Sequence, residues 1–220
     1  MNFELPFIPE RTAQPRESGL TMMMDKGLSI QEVEAFCETS APYTDLVKFG
    51  FGTALLTDNL KEKIELYRDA GVEPYFGGTL FEMFAVRNML DEYKRFTDRF
   101  GITTIEISDG SMKIDPEDKV NMIRRFAADK RVLSEVGTKV KGIIIPNEHW
   151  VQYMKAELEA GAWKVIAEAR ESGTIGIYND DGSANRELID AIIKEISVDD
   201  VLWEAPAKAQ QVMFIQLVGA

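Results

Sequence analysis

One cysteine and one histidine in 220 residues leave little for soft-metal chemistry. Zinc, copper and iron–sulfur centres draw on several thiolate or imidazole ligands, so those classes are excluded. A lone Cys37 also excludes an intrachain disulfide, which fits a reducing cytoplasm. Basic residues are in deficit, 25 against 37 acidic, for a net charge of −12. Such a surface repels phosphate backbones, so nucleic acid is not an expected partner. No stretch approaches the roughly 20 apolar residues of a membrane span, so no membrane partner is expected. The first residues carry Glu4, Pro6, Pro9 and Glu10 instead of an apolar run, and no signal peptide is expected. Low-complexity segments and short repeats are absent.

What the chain does hold is an ordinary globular composition, 45% hydrophobic and 28% charged. That suffices for one sizeable core, and one domain over 1–220 is expected, with an irregular Pro-rich arm over 1–18. After the arm, short β-branched runs alternate with amphipathic stretches. The pattern predicts strands over 20–24, 46–49, 72–76, 103–107, 132–136, 164–168 and 201–204. Helices are predicted over about 29–39, 58–70, 80–100, 115–129, 148–160, 185–196 and 207–218. Ser29 with Glu32, and Asp115 before Pro116, are helix-start signals. Short strands alternating with helices imply an α/β fold with a parallel sheet. Seven βα units fit a (β/α)8 TIM-type barrel from which strand 8 is missing. A doubly wound sheet is the alternative, but it would gather polar residues at one switch point. Here they stand at the ends of almost every strand. Unpaired edges on the first and last strands invite association, so a homo-oligomer is a further expectation.

Four of the apolar runs carry a glutamate near the same place: Glu106, Glu135, Glu168 and Glu204. A buried carboxylate is costly unless its charge is offset. Four at matched positions suggest parallel strands delivering them to one mouth. Asp25 and Lys48 stand at two further strand ends, and Arg16, Lys26, Lys139 and Arg170 are the nearby cations. So many carboxylates require positive charge. Lys48, inside Leu46-Val47-Lys48-Phe49, offsets one; a hard divalent ion on oxygen ligands, naturally Mg²⁺, would offset more. Single glutamates of this kind often pair with lysines as structure alone. Glycine-bearing segments at Gly50–Thr53, Gly77-Gly78-Thr79 and Ser172-Gly173-Thr174-Ile175-Gly176 follow strands and could offer backbone N–H groups to an oxyanion. Arg170 before Ser172 and Gly173 adds a guanidinium able to bind one bidentately. His149 reads as a helix-surface residue, and Cys37 as inert core.

These segments resemble the phosphosulfolactate synthase family. The resemblance runs in order through Pro15-Arg16, Asp25-Lys26-Gly27, Val47–Thr53, Gly77–Glu82, Ile105–Gly110, Ser134–Gly137, Leu158–Ala162, Glu168–Gly173, Trp203–Pro206 and Gln210-Gln211. It implies a (β/α)8 barrel and Mg²⁺-dependent addition of sulfite to phosphoenolpyruvate, giving (2R)-3-phosphosulfolactate, the opening step of coenzyme M biosynthesis. Under it, Lys139 matches a lysine that protonates C2, with Lys48 the other candidate. Glu106, Glu135, Glu168, Asp25 and Glu204 are the metal candidates. Arg170, Ser172, Gly173, Gly77, Gly78, Thr79 and Arg16 are the substrate-binding candidates. Two departures stand out: the segment after Gly137 is short and apolar, and the family continues into a further strand. Plant heat-stress proteins that resemble the family without this activity supply an alternative, a non-catalytic acclimation protein. An enolate-forming enzyme with another nucleophile is a third reading.

Overall fold

The structure is a computed structural model that describes residues 6–7, 11–138 and 145–219. Seven strands run in the order β1 (Met22–Asp25), β2 (Leu46–Phe49), β3 (Glu73–Phe76), β4 (Thr104–Ile107), β5 (Arg131–Val136), β6 (Lys164–Ala167) and β7 (Val201–Trp203). The helices are α1 (Ile30–Ser40), α2 (Phe51–Leu56), α3 (Leu60–Asp69), α4 (Gly78–Ala85), α5 (Leu90–Arg99), α6 (Pro116–Ala127), α7 (Asn147–Glu159), α8 (Arg186–Glu195) and α9 (Lys208–Val218). All pairings between the strands are parallel, in two ladders, β1-β2-β3 and β4-β5-β6-β7. The fold is therefore α/β, with seven parallel strands of a TIM-type barrel among the described residues.

β3 and β4 lie side by side although no ladder joins them. One contribution is local. Glu73 and Gly77 donate their N–H groups to Asp45 and Phe49, so the alternate positions Pro74 and Phe76 face β4, and Pro74 has no N–H to give.

Strand alternation sorts the side chains into an inside and an outside. Leu46, Tyr75, Leu133, Ile166 and Leu202 point inward and form one cluster with Met22 and Trp163. Val47, Phe49, Phe76, Ile105, Ile107 and Val132 point outward and pack under α1, α3 and α4–α6. Val136, Val165, Ala167 and Val201 do the same under α7, α8 and α9.

Two helical expectations change. Gly50–Thr53 is the start of α2, with Gly50 as its N-cap, and is not an open loop. The region 80–100 is two helices, broken where Asn88 takes a left-handed φ of 55°. Asn tolerates that conformation better than most residues.

Candidate active site

Continued past the inner cluster, the same alternation brings Lys48, Glu106, Glu135, Glu168 and Glu204 to the C-terminal ends of the strands. They line one cleft of about 430 Å³ with Met24, Phe51, Gly77, Gly78, Thr79, Arg170 and Ser172. Glu106, Glu135 and Glu168 are at most 1% exposed. Lys48 stands between them: its Nζ lies 2.9 Å from Glu106 Oε1, 3.3 Å from Glu204 Oε1 and 3.5 Å from Glu135 Oε2. Burial by itself would lower the lysine, but Glu106, Glu204 and Glu135 hold its pKa well above the ordinary value. Burial also raises Glu204, against the pull of Lys48.

The carboxylates are held individually. Glu106 Oε1 accepts the Gly78 N–H at 2.6 Å, at the first turn of α4. Glu204 Oε2 accepts the Ala169 N–H at 2.8 Å, and the Glu204 carbonyl accepts Tyr178 Oη at 2.9 Å. Glu135, Glu168 and Glu204 each offer an oxygen within 4.8 Å of the others. Three convergent hard oxygen donors suit a divalent ion of the Mg²⁺ kind.

The segment after β6 folds over the cleft. Ala169 bridges to Gly176, and Tyr178 to Ala184. Gln210 of α9 holds the turn by donating to the carbonyls of Gly173 at 3.0 Å and Gly182 at 3.2 Å. Arg170 lines the cleft; Ser172 shares a hydrogen bond with Thr174. Lys26, from the loop after β1, reaches Glu171 at 2.9 Å across the opening.

Two expected members are elsewhere. Asp25 ends β1 on the outward side of the alternation. Its carboxylate accepts the Gly27 and Leu28 N–H groups, Tyr67 Oη at 3.0 Å and pairs with the fully buried Lys63 at 2.7 Å. It anchors the loop after β1 and has no lone pair aimed into the cleft. Arg16 lies at the opposite end of the strands, paired with Asp45 at 2.9 Å, in a hollow lined by Leu46, Glu73 and Arg131. Lys139 lies outside the described residues. His149 is exposed on α7 beside Tyr153. Cys37 is half-buried, its thiol pushed up by burial.

The sequence reading missed a second layer of charge behind the strands. Lys119 of α6 and Glu157 of α7 pair at 2.9 Å, and Glu82 of α4 accepts Ser108 Oγ. A signal for three such residues exists. Lys63 falls in phase with the buried Leu60, Ile64 and Tyr67; Lys119 with Ile123 and Phe126; Glu157 with Trp150 and Met154. A charge on the apolar stripe of a helix must find a buried partner.

Comparisons with known proteins agree with this arrangement. The (2R)-phospho-3-sulfolactate synthase (ComA) family model matches residues 9–220. A phosphosulfolactate synthase of Methanothermobacter thermautotrophicus is 40% identical over 218 residues, covering 96% of this chain and 84% of that protein. One from Bacillus subtilis is 39% identical over 215 residues, covering 96% and 85%. Among solved structures, the YdjI aldolase from Escherichia coli K12 aligns with a TM-score of 0.58 at 8% identity, covering 92% of this chain and 72% of that one. The carboxyl transferase domain of Rhizobium etli pyruvate carboxylase aligns with a TM-score of 0.51 at 12% identity, covering 86% and 37%. The structural likenesses speak for the fold alone. The family match and the curated relatives decide more: the chain belongs to the (2R)-phospho-3-sulfolactate synthase family.

Proposed function

We propose that this chain is a Mg²⁺-dependent lyase that adds sulfite to phosphoenolpyruvate to give (2R)-phospho-3-sulfolactate. One observation carries the reading: four inward glutamates and Lys48 converge in a single cleft of a family member, under a loop that carries Arg170.

In that reaction the sulfur lone pair attacks C3, the C=C electron pair moves to C2, and C2 takes a proton. Negative charge develops on C2 and on the adjacent carboxylate. Bound by Glu135, Glu168 and Glu204, Mg²⁺ would supply Lewis-acid stabilisation of that charge. Glu106 is better suited to support than to ligation, because Lys48 and the Gly78 N–H already engage its Oε1. Lys48 keeps the carboxylates together. Its raised pKa makes it a poor proton donor near neutrality, which leaves Lys139, carried over from the family resemblance, as the acid for C2. Arg170, with the backbone around Ser172 and Gly173 and around Gly77 and Thr79, would hold the phosphate and sulfite oxyanions. A reducing cytoplasm suits the lone Cys37, and no helix among the described residues is long and apolar enough to cross a membrane.

The test is consumption of phosphoenolpyruvate by the purified chain, with sulfite and Mg²⁺ each present or omitted. Consumption that needs both, with a sulfonated phosphate ester as product, is expected. Consumption without sulfite would point to another nucleophile. Turnover unchanged in excess chelator would remove the metal.

A further inference from the structure

The buried charge behind β5 is built around one ammonium. Lys119 Nζ donates to the Glu135 carbonyl at 2.6 Å and to Asp109 Oδ1 at 2.8 Å, and it pairs with Glu157 Oε1 at 2.9 Å. The side chain is 3% exposed, so it has no alternative partner in water. Glu157 Oε2 in turn accepts Ser134 Oγ at 2.6 Å. The lysine thus ties together the loop after β4, the end of β5 and α7.

The reason for a lysine here lies in the ladder. The β4–β5 pairing runs only as far as Ile107 opposite Ser134. The Glu135 carbonyl lies one residue past that pairing, and a buried backbone acceptor must be satisfied. Lys119 satisfies it. The residue whose carbonyl is held outside is the one whose carboxylate points inside, 3.5 Å from Lys48. Ser134, one residue earlier, is held by the same cluster. The Ser134 hydroxyl and the Glu135 carbonyl are thus both anchored from behind the sheet, on either side of the Glu135 Cα.

We infer that Lys119 is a positioning residue that acts through Glu135, fixing the aim of its carboxylate into the cleft. The inference rests on the reading of the cleft as the site of sulfite addition. Outer groups that orient a ligating carboxylate commonly contribute ten- to a hundredfold to metal affinity or activity.

A double-mutant cycle tests it. Lys119→Met, Glu135→Gln and the double variant are compared for sulfite-dependent kcat/KM and for Mn²⁺ affinity by electron paramagnetic resonance, well below each variant's melting temperature. Lys119→Met is expected to lower both by about tenfold or more, with part regained in Lys119→Arg. In the Glu135→Gln background the same change should cost less than about threefold, because the carboxylate it aims is gone. Should Lys119→Met fail to fold, Ser134→Ala removes one anchor and leaves the ion pairs. It is expected to give a smaller loss of the same sign, again absent beside Glu135→Gln. Equal losses in both backgrounds would overturn the inference and leave the reading of the cleft standing. Native behaviour of Glu135→Gln itself would overturn both.

Discussion

Lys48 draws the two ladders together at one ammonium. It comes from β2, and its partners come from β4, β5 and the end of β7. Removing one partner of a buried ion pair costs about 3–5 kcal/mol, because the charges left behind have lost their compensation. Lys48→Met leaves Glu204 facing Glu106 and Glu135 without the cation that opposes its burial-driven rise, so the Glu204 carboxyl is pushed further above its ordinary value. A carboxyl group shifted upward favours the folded state at acid pH, and that benefit is lost as pH climbs from the usual carboxylate range through the raised value. The melting temperature of Lys48→Met should therefore fall further below that of the native protein at pH 8 than at pH 5. A gap of equal size at both pH values would mean that carboxylate repulsion is not what the lysine relieves. The glutamates themselves were legible in the sequence because a strand has a period of two: a carboxylate two residues beyond an inward Leu133, Ile166 or Leu202 must also face inward. Asp25 fails the same test, being one residue out of phase with Met24, which lines the cleft.

At the scale of elements, the first turn of α4 is set by how closely it approaches β4. A Cβ placed on Gly78 would lie 2.3 Å from Ser108 Oγ and 2.8 Å from Glu106 Oε1. Both neighbours are buried, and Ser108 is already committed to Glu82, so neither can yield cheaply. Gly78→Ala should cost about 1–3 kcal/mol by overpacking, measurable as a lower denaturant midpoint, and should reduce turnover by displacing Glu106. A variant with native midpoint and native turnover would show that α4 can slide outward freely. The sequence context of Gly78 suggests an anion-binding loop, yet its N–H is spent on Glu106. Composition cannot tell a glycine that receives a ligand from one that lets two elements touch. The split of 80–100 into α4 and α5 was hidden for a related reason. Apolar residues continue through Val86 and Met89, and the break rests on the backbone conformation of Asn88. The charged groups behind the strands were harder still, since Lys119, Glu157 and Lys63 find their partners on other elements.

For the molecule as a whole, the order of the ladders predicts where it opens first. β2, β5 and β6 have ladders on both sides; β3 and β4 have one each but lie against each other, whereas among the described residues β1 and β7 have no strand on their outer flank. Between those two edges lies a hollow of about 480 Å³, lined by Leu20, Thr21, Leu202 and Trp203 and by Phe214, Ile215 and Val218 of α9. The Trp203 ring stacks on Phe214 with centroids 4.9 Å apart, so α9 shelters β7 from outside the sheet without pairing its backbone. An amide without a ladder partner exchanges through local opening, while one held from both sides waits for a larger unfolding event. Amide exchange should therefore be fastest along β1 and β7 and slowest in β5 and β6. Lys48 adds a second expectation, because it joins the β1-β2-β3 ladder to β4, β5 and β7 at the mouth alone. In Lys48→Met the protection of β2 should fall toward that of β1, while β5 and β6 retain theirs. If β1 and β7 proved as protected as β5 in the native protein, their free edges would be covered in solution. If β2 kept its protection in the variant, the outer packing of Val47 and Phe49 against α1 and α3 would suffice to hold the first ladder in place.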